Sequence, residues 1–405
     1  MNGISHMNND LQSLFLRKAD ENGIRFLGIT PAVVPDRGNG MVATRNIDRG
    51  DMVMHIPTEA ISSLHNLPEV VSRDLPRDMS IHGSLASQLA LHRETMDNWA
   101  IQVPELSAFQ DAMPMFWPRE LQDLLPAEAK SLVDQQRTRF EADWHKFAGA
   151  FRGASREKYL HCWLLVNTRA FYFETSLTVM FPWHDRLALL PLADMFNHDN
   201  VGCALSFSTD GYTFTADRPY SVGEEVCISY GNHSNDFLLA EYGFILPAND
   251  TDRICLDEII LPRLSSRQIS ELLENGYPDN FMLNAESEAH DNIWIALRLL
   301  CSTEADWPGY VNGEEDAQGT LDQAADLLST LLEEYLDRID DNLTIIHALR
   351  IGKPQHRALL GRRWEQLRVV ASQLIDVEWF IDDIDVLSDE EFDEEPTVME
   401  SITPT

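Results

Sequence analysis

The chain is poor in cysteine and poorer still in positive charge. Its five cysteines (Cys162, Cys203, Cys227, Cys255, Cys301) are scattered and odd in number, and none forms a C-x-x-C pair. That excludes a cysteine zinc cluster and a disulfide framework, and it fits free thiols in a reducing compartment. No apolar run approaches the roughly 18 residues of a membrane span. The opening MNGISHMNND has neither a basic n-region nor an apolar h-region, so no secretory signal is expected. The N-x-S/T matches at Asn232, Asn249 and Asn342 then read as chance. Lys and Arg number 31 against 66 Asp and Glu, a formal net charge of −35. Clustered cations are what replace phosphate counterions, so the chain is a poor candidate for sequence-independent nucleic-acid binding and for an anionic membrane surface. Such a chain attracts basic partners; the plainer reading is that acidity keeps it soluble.

What is present is ordinary globular material: 405 residues, 44% hydrophobic and 9% aromatic. That length suggests two to three domains at about 100–200 residues each. Residues 24–57 read as short strands separated by the turns PDRGNG and Asp48-Arg49-Gly50. Residues 80–175 read as helical, with Leu85, Leu89 and His92 at helical spacing and a thick apolar face in KYLHCWLLVNTRAFYF. Arg169 and Phe171 fall on that last helix. Residues 187–246 return to β: LALLPLADMF, then CALSFS and YTFTA around Thr209-Asp210-Gly211, then EEVCISY and LLAEYGF. Residues 255–385 are mostly helix. Capping boxes start at Ser265-x-x-Gln268 and Thr320-x-x-Gln323, Pro354 suits a first turn, and 355–382 carries Leu360, Trp364, Leu367, Leu374 and Ile381 near heptad spacing. From Asp382 the chain is an acidic tail. A β unit interrupted by helices suggests an insertion.

Four short motifs carry chemistry. Gly38-Asn39-Gly40-Met41-Val42-Ala43 matches a dinucleotide fingerprint, but strand and turn follow it where a helix should open, so that reading fails. The glycines still permit close backbone approach to a ligand. Asp194-Met195-Phe196-Asn197-His198-Asp199 packs polar groups behind an apolar strand. It admits a metal site on Asp194, His198 and Asp199, a turn binding a polar ligand, or a helix cap with a satisfied histidine. Tyr230-Gly231 ends a strand, and Tyr242-Gly243-Phe244 follows within a dozen or so residues; such aromatics can line a narrow apolar channel. Arg169 can hold a carboxylate in bidentate fashion or serve as a surface ion pair.

The order of these motifs, R-G-x-G, T-R-x-F, D-x-x-N-H, G-E-E-V-x-I-x-Y-G and Y-G-F, resembles the SET-domain protein methyltransferases. It is most similar to the family of the Rubisco large-subunit lysine methyltransferase, which includes fungal ribosomal-protein lysine methyltransferases and the animal actin-histidine methyltransferase. The resemblance covers roughly residues 20–385. DNLTIIHALRIGKPQHRALL resembles that family's C-terminal substrate-binding domain.

The resemblance implies an α+β fold. A SET β-fold at 20–85 and 156–250 is split by a helical insertion at 86–155. An all-α substrate-binding domain follows at 255–385, then a disordered acidic tail at 386–405. It implies an S-adenosylmethionine-dependent protein-lysine N-methyltransferase acting on a non-histone protein, ribosomal or otherwise basic. The alternatives are a protein-histidine methyltransferase and a non-catalytic SET-like module binding a basic segment. Tyr230 would be catalytic. Arg37, Gly38, Asn39, Arg169, Asp194, Asn197, His198, Tyr230 and Phe244 would bind the cofactor, and Phe171 and Tyr242 would line the substrate channel. Phe171 is aromatic as in lysine-modifying members, whereas the histidine-modifying member has a polar residue there. His233 stands where actin-modifying members carry Arg, which argues against an actin-like substrate. No metal, nucleic acid or membrane is expected. The protein is read as a monomer of the cytoplasm, with the nucleus as a second location.

Overall fold

A computed structural model describes residues 5–6, 9–35, 37–92, 103–277, 280–284, 291–304, 307 and 318–375. The chain divides into two compact units. Of the described residues, the first takes in those up to Asp111 and Gln135–Asn232; the second takes in Ala112–Asp134 and those from His233 to Ile375.

The first unit is built on two small antiparallel sheets. One has the order β1 (Ser5–His6), β3 (Ile29–Val34), β4 (Gly38–Ala43), β10 (Glu225–Val226). The other runs β2 (Arg25–Phe26), β5 (Met52–Pro57), β9 (Gly211–Thr215), β8 (Ala204–Ser208). Alternation sets their faces. Ile29, Met41, Ala43 and Val226 of the first sheet and Met54, Ile56 and Phe214 of the second enter one core. Thr209-Asp210 turns β8 into β9. Gly211, with φ +127, is forced there because a Cβ would run into the Ile56 carbonyl.

A third pairing joins β6 (Ala170–Tyr172) to β7 (Leu187–Leu189). Helices Ile81–Leu91 and Arg156–Arg169 pack together behind it. Trp163, Tyr159 and Leu85 are fully buried there.

The second unit is mostly helical, with an antiparallel pairing of β11 (Arg253–Cys255) and β12 (Met282–Asn284) across an intervening helical segment. Helices Asp291–Cys301, Gln318–Ala348 and Pro354–Ile375 present Leu297, Leu331, Ile339, Leu360, Trp364, Leu367 and Leu374 to a shared core. Arg363, fully buried, bridges Asp236 at 2.7 Å and Asp252 at 2.6 Å.

Several elements differ from the sequence reading. Phe171 lies in β6, because helix Arg156–Arg169 stops just before it. Only Glu225–Val226 of EEVCISY is ladder strand; beyond it the chain leaves the sheet to pair with 197–199. LADMF is a 3-10 turn, Ala193–Met195. LLAEYGF belongs to a helix, Asn235–Tyr242, which Ser234 caps by accepting from Phe237 N and which Gly243 ends at φ +83. Ser265–Gln268 is a true capping box, whereas Thr320 is inside a helix already running at Gln318. Ile381 and the acidic tail lie outside the described residues. No described helix is long and apolar enough to cross a membrane.

Candidate active site

Two chain segments cross at the edge of the first sheet. Ile228 N donates to the Asn197 carbonyl and Asp199 N to the Ile228 carbonyl, each at 3.0 Å, and Cys203 N donates to the Cys227 carbonyl at 2.9 Å. Gly202 makes this approach possible, since a Cβ there would lie 2.6 Å from the Cys227 carbonyl oxygen. The turn that delivers Asn197 and His198 starts at Leu192. Leu192 is the one described non-glycine residue with positive φ, +72, and it is buried in the core. A leucine held in the left-handed region marks a backbone over-determined by its surroundings.

The crossing fixes Tyr230. Its hydroxyl donates to the Phe196 carbonyl at 2.7 Å, and its backbone N–H donates to His198 Nδ1 at 3.0 Å. The two rings stack with centroids 5.0 Å apart. A His198 Nδ1 that accepts is unprotonated, and burial pushes the imidazole pKa down, so the ring is neutral. Burial also pushes the Tyr230 phenol well up, with the nearby Arg169 charge opposing it, so the hydroxyl keeps its proton. The guanidinium of Arg37 donates to the His198 carbonyl and pairs with Glu225 at 3.2 Å. Asn197 Nδ2 donates to Glu225 Oε1 at 2.8 Å. These side chains close against β4 at Gly40, where a Cβ would stand 2.8 Å from Asn197 Nδ2.

Arg169, the last residue of its helix, donates from one terminal nitrogen to the Asp194 carboxylate at 2.7 Å and the Asp194 carbonyl at 2.9 Å. The Asp194 side chain has no exposed surface. The Nε–H of Arg169 is buried with no hydrogen-bond partner. A guanidinium in that state retains capacity for a second acceptor. Phe171, two residues on, sits edge-on to Phe214 at 6.1 Å and Tyr212 at 6.4 Å, and Phe214 stacks on Phe196 at 5.2 Å. This aromatic group carries the Phe196 carbonyl that holds Tyr230. A cleft of about 1060 Å³ opens beside the network, with Arg37, Glu225, Asp199 and Cys227 in its wall.

The structure thus brings together Arg37, Arg169, Phe171, Asp194, Asn197, His198 and Tyr230 within the first unit, and Gly38 and Asn39 follow Arg37 at the start of β4. Tyr242 and Phe244 belong to the second unit, where their rings stand 6.1 Å apart. Asp194 is engaged by Arg169, which makes it a positioning carboxylate here. Among the described residues no group of three or more His, Cys, Asp or Glu is placed to hold a metal ion. Sequence reasoning missed Glu225, which ties Arg37 to Asn197. It also missed the Phe196 carbonyl and the Phe214 ring. Glu225 had one signal, its place in the strand G-E-E-V; nothing local marks a backbone carbonyl.

Residues 38–231 match the SET domain family model. The chain is similar to the ribosomal lysine N-methyltransferase set11 of Schizosaccharomyces pombe, at 24% identity over 75% of this chain and 82% of that one. It is similar to the N-lysine methyltransferase SETD6 of Rattus norvegicus, at 25% identity over 64% of this chain and 59% of that one. The solved structure of Rubisco LSMT bound to AdoMet superposes with a TM-score of 0.61 at 17% identity, covering 90% of each chain. The fold is therefore the α+β SET fold with C-terminal helices.

Proposed function

This chain carries a SET domain, and we propose that it is an S-adenosylmethionine-dependent protein-lysine N-methyltransferase whose substrate is a non-histone, basic protein, of which a ribosomal protein is one kind. The observation that carries the reading is Tyr230. Its phenol is half-buried, protonated and oriented by the Phe196 carbonyl, beside Arg169 and an aromatic wall. The names of the relatives and the AdoMet of the solved neighbour support it.

The residues present fit that cofactor on two counts. The unpartnered Arg169 Nε–H suits the carboxylate of a methionine moiety. Gly40 keeps β4 free of a side chain where Asn197 and Glu225 close on it. Arg37, Asn39, Asn197 and His198 would hold the remaining polar groups. When bound, the cofactor supplies a methyl group already activated by a sulfonium charge.

The protein's share is to deliver and align an amine. A Tyr230 hydroxyl that donates to Phe196 can only accept from a substrate nitrogen, so it orients the amine and its lone pair. Phe171, with Phe214 behind it, presents an apolar wall that disfavours ammonium over amine by desolvation. An imidazole would need a polar partner at that wall, and Phe171 offers none, which favours lysine over histidine. Neutral His198 fixes the backbone just before the phenol.

Kinetics of two variants test the assignment. Tyr230→Phe should lower methyl transfer about 100-fold, the scale for one preorganised polar group, with cofactor affinity within twofold. Asn197→Ala should lose cofactor binding by calorimetry. Wild-type turnover in both variants refutes the site.

A further inference from the structure

The hairpin that carries Phe171 ends in an apolar tip whose large side chains are exposed among the described residues. Between β6 and β7, Leu177, Val179, Met180 and Trp183 are 51%, 49%, 88% and 56% exposed. Contiguous exposed apolar side chains of this size mark an interaction site rather than ordinary surface. The loop holding them is built. Thr175 N donates to Thr178 Oγ1 at 2.7 Å, and Thr178 Oγ1 donates to the Phe173 carbonyl at 3.1 Å. Arg186 donates from Nε to the Phe181 carbonyl at 3.0 Å and pairs with Glu174. Asp185 anchors the far end by accepting from Ile81 N at 2.8 Å and His82 N at 2.9 Å.

The tip is therefore fixed in advance and carries no unpaired acid, on a chain whose net charge is −35. Preorganised apolar anchors lose little entropy on binding. The tip and the candidate channel residue Phe171 are carried by one hairpin, in which Phe171 pairs with Ala188.

We propose that Leu177, Val179, Met180 and Trp183 dock apolar side chains that flank the target lysine in the protein substrate. The acidic surface would attract the substrate and this tip would select it. The inference rests on the methyltransferase reading above and adds a specificity element to it. Its probe is whole-cell lysate protein methylated with labelled S-adenosylmethionine at subsaturating lysate. The variant Met180→Ser/Trp183→Ser should label at least tenfold more slowly than wild type, with cofactor affinity within twofold and an unchanged melting temperature. Met180→Leu/Trp183→Phe should recover labelling to within threefold. Equal labelling by the serine pair and wild type overturns the docking role and leaves the methyltransferase reading standing. No labelling by wild type removes that reading and the docking role with it. A wild-type dimer in solution that the serine pair converts to monomer assigns the tip to a second copy and overturns the proposal.

Discussion

At Gly40 a single hydrogen stands where any other residue would put a carbon 2.8 Å from Asn197 Nδ2 and 2.9 Å from Glu225 Oε1. The backbone there is compatible with alanine, so the conflict lies with those side chains and with Val34. Gly40→Ala should cost about 1–3 kcal/mol of stability, the usual range for overpacking, and weaken cofactor binding at least tenfold. Calorimetry and a denaturant titration on the same sample separate the two effects; an unchanged affinity would remove Asn197 and Glu225 from the binding surface. Asn197, His198 and Tyr230 were legible because they stand in ordered motifs with the glycines and Arg169. Glu225 was not, because its value comes from partners 28 and 188 residues away along the chain, Asn197 and Arg37. The Leu192 backbone was equally hidden, since nothing in a leucine announces a positive φ.

At the scale of elements, helix Ile81–Leu91 shows what periodicity can and cannot give. Leu85 and Leu89 at helical spacing announced it, and both are fully buried. Its N-terminus, however, is satisfied by Ser80 and by Asp185, which arrives from the hairpin loop. Inside it, His82 stacks on Trp163 at 4.2 Å and meets the Trp163 carbonyl through Nε2 at 3.0 Å. Burial drives its pKa down to about 3, so the folded ring is neutral while the unfolded one charges from about pH 6.5 downward. The unfolded chain then binds more protons, and stability is lost as pH falls from 6.5 toward 3, by at most about 1.4 kcal/mol per pH unit. His82→Gln should flatten that acid limb relative to wild type in urea titrations between pH 7 and 4.5. Parallel limbs would contradict a neutral buried ring. Asp143 and Asp185, whose carboxyls burial pushes up, bend both curves the other way and cancel in the difference.

Element ends were harder to read than element types. β10 stops after two residues because Cys227 and Ile228 spend their backbone bonds on the 197–203 segment. A pattern of alternating apolar residues cannot reveal that a strand will change partners. LLAEYGF follows strand signals within 187–246, yet Ser234 and Gly243 cap it as a helix.

Across the whole molecule, composition gave the class and the motif order gave the fold, while the charge of −35 acquires a role only through the proposed substrate. If that charge steers a basic protein to the site, kcat/KM should fall several-fold between about 50 and 300 mM salt with kcat nearly unchanged. A flat response would return the acidity to solubility alone. The helical second unit was legible from heptad-spaced Leu360, Trp364, Leu367 and Leu374, all buried. Its central ion pair was not, because Arg363 reaches Asp236 and Asp252 from more than 100 residues away.

The account stands most directly on where the methyl group goes. Purified protein, S-adenosylmethionine carrying a deuterated methyl and a cell lysate, followed by mass spectrometry of the digested proteins, would report it. Deuterated methyl should sit on a lysine side-chain nitrogen of at least one basic protein, with initial labelling about 100-fold slower when Tyr230→Phe replaces the wild type. Label on histidine alone, or on no protein at all, would contradict it.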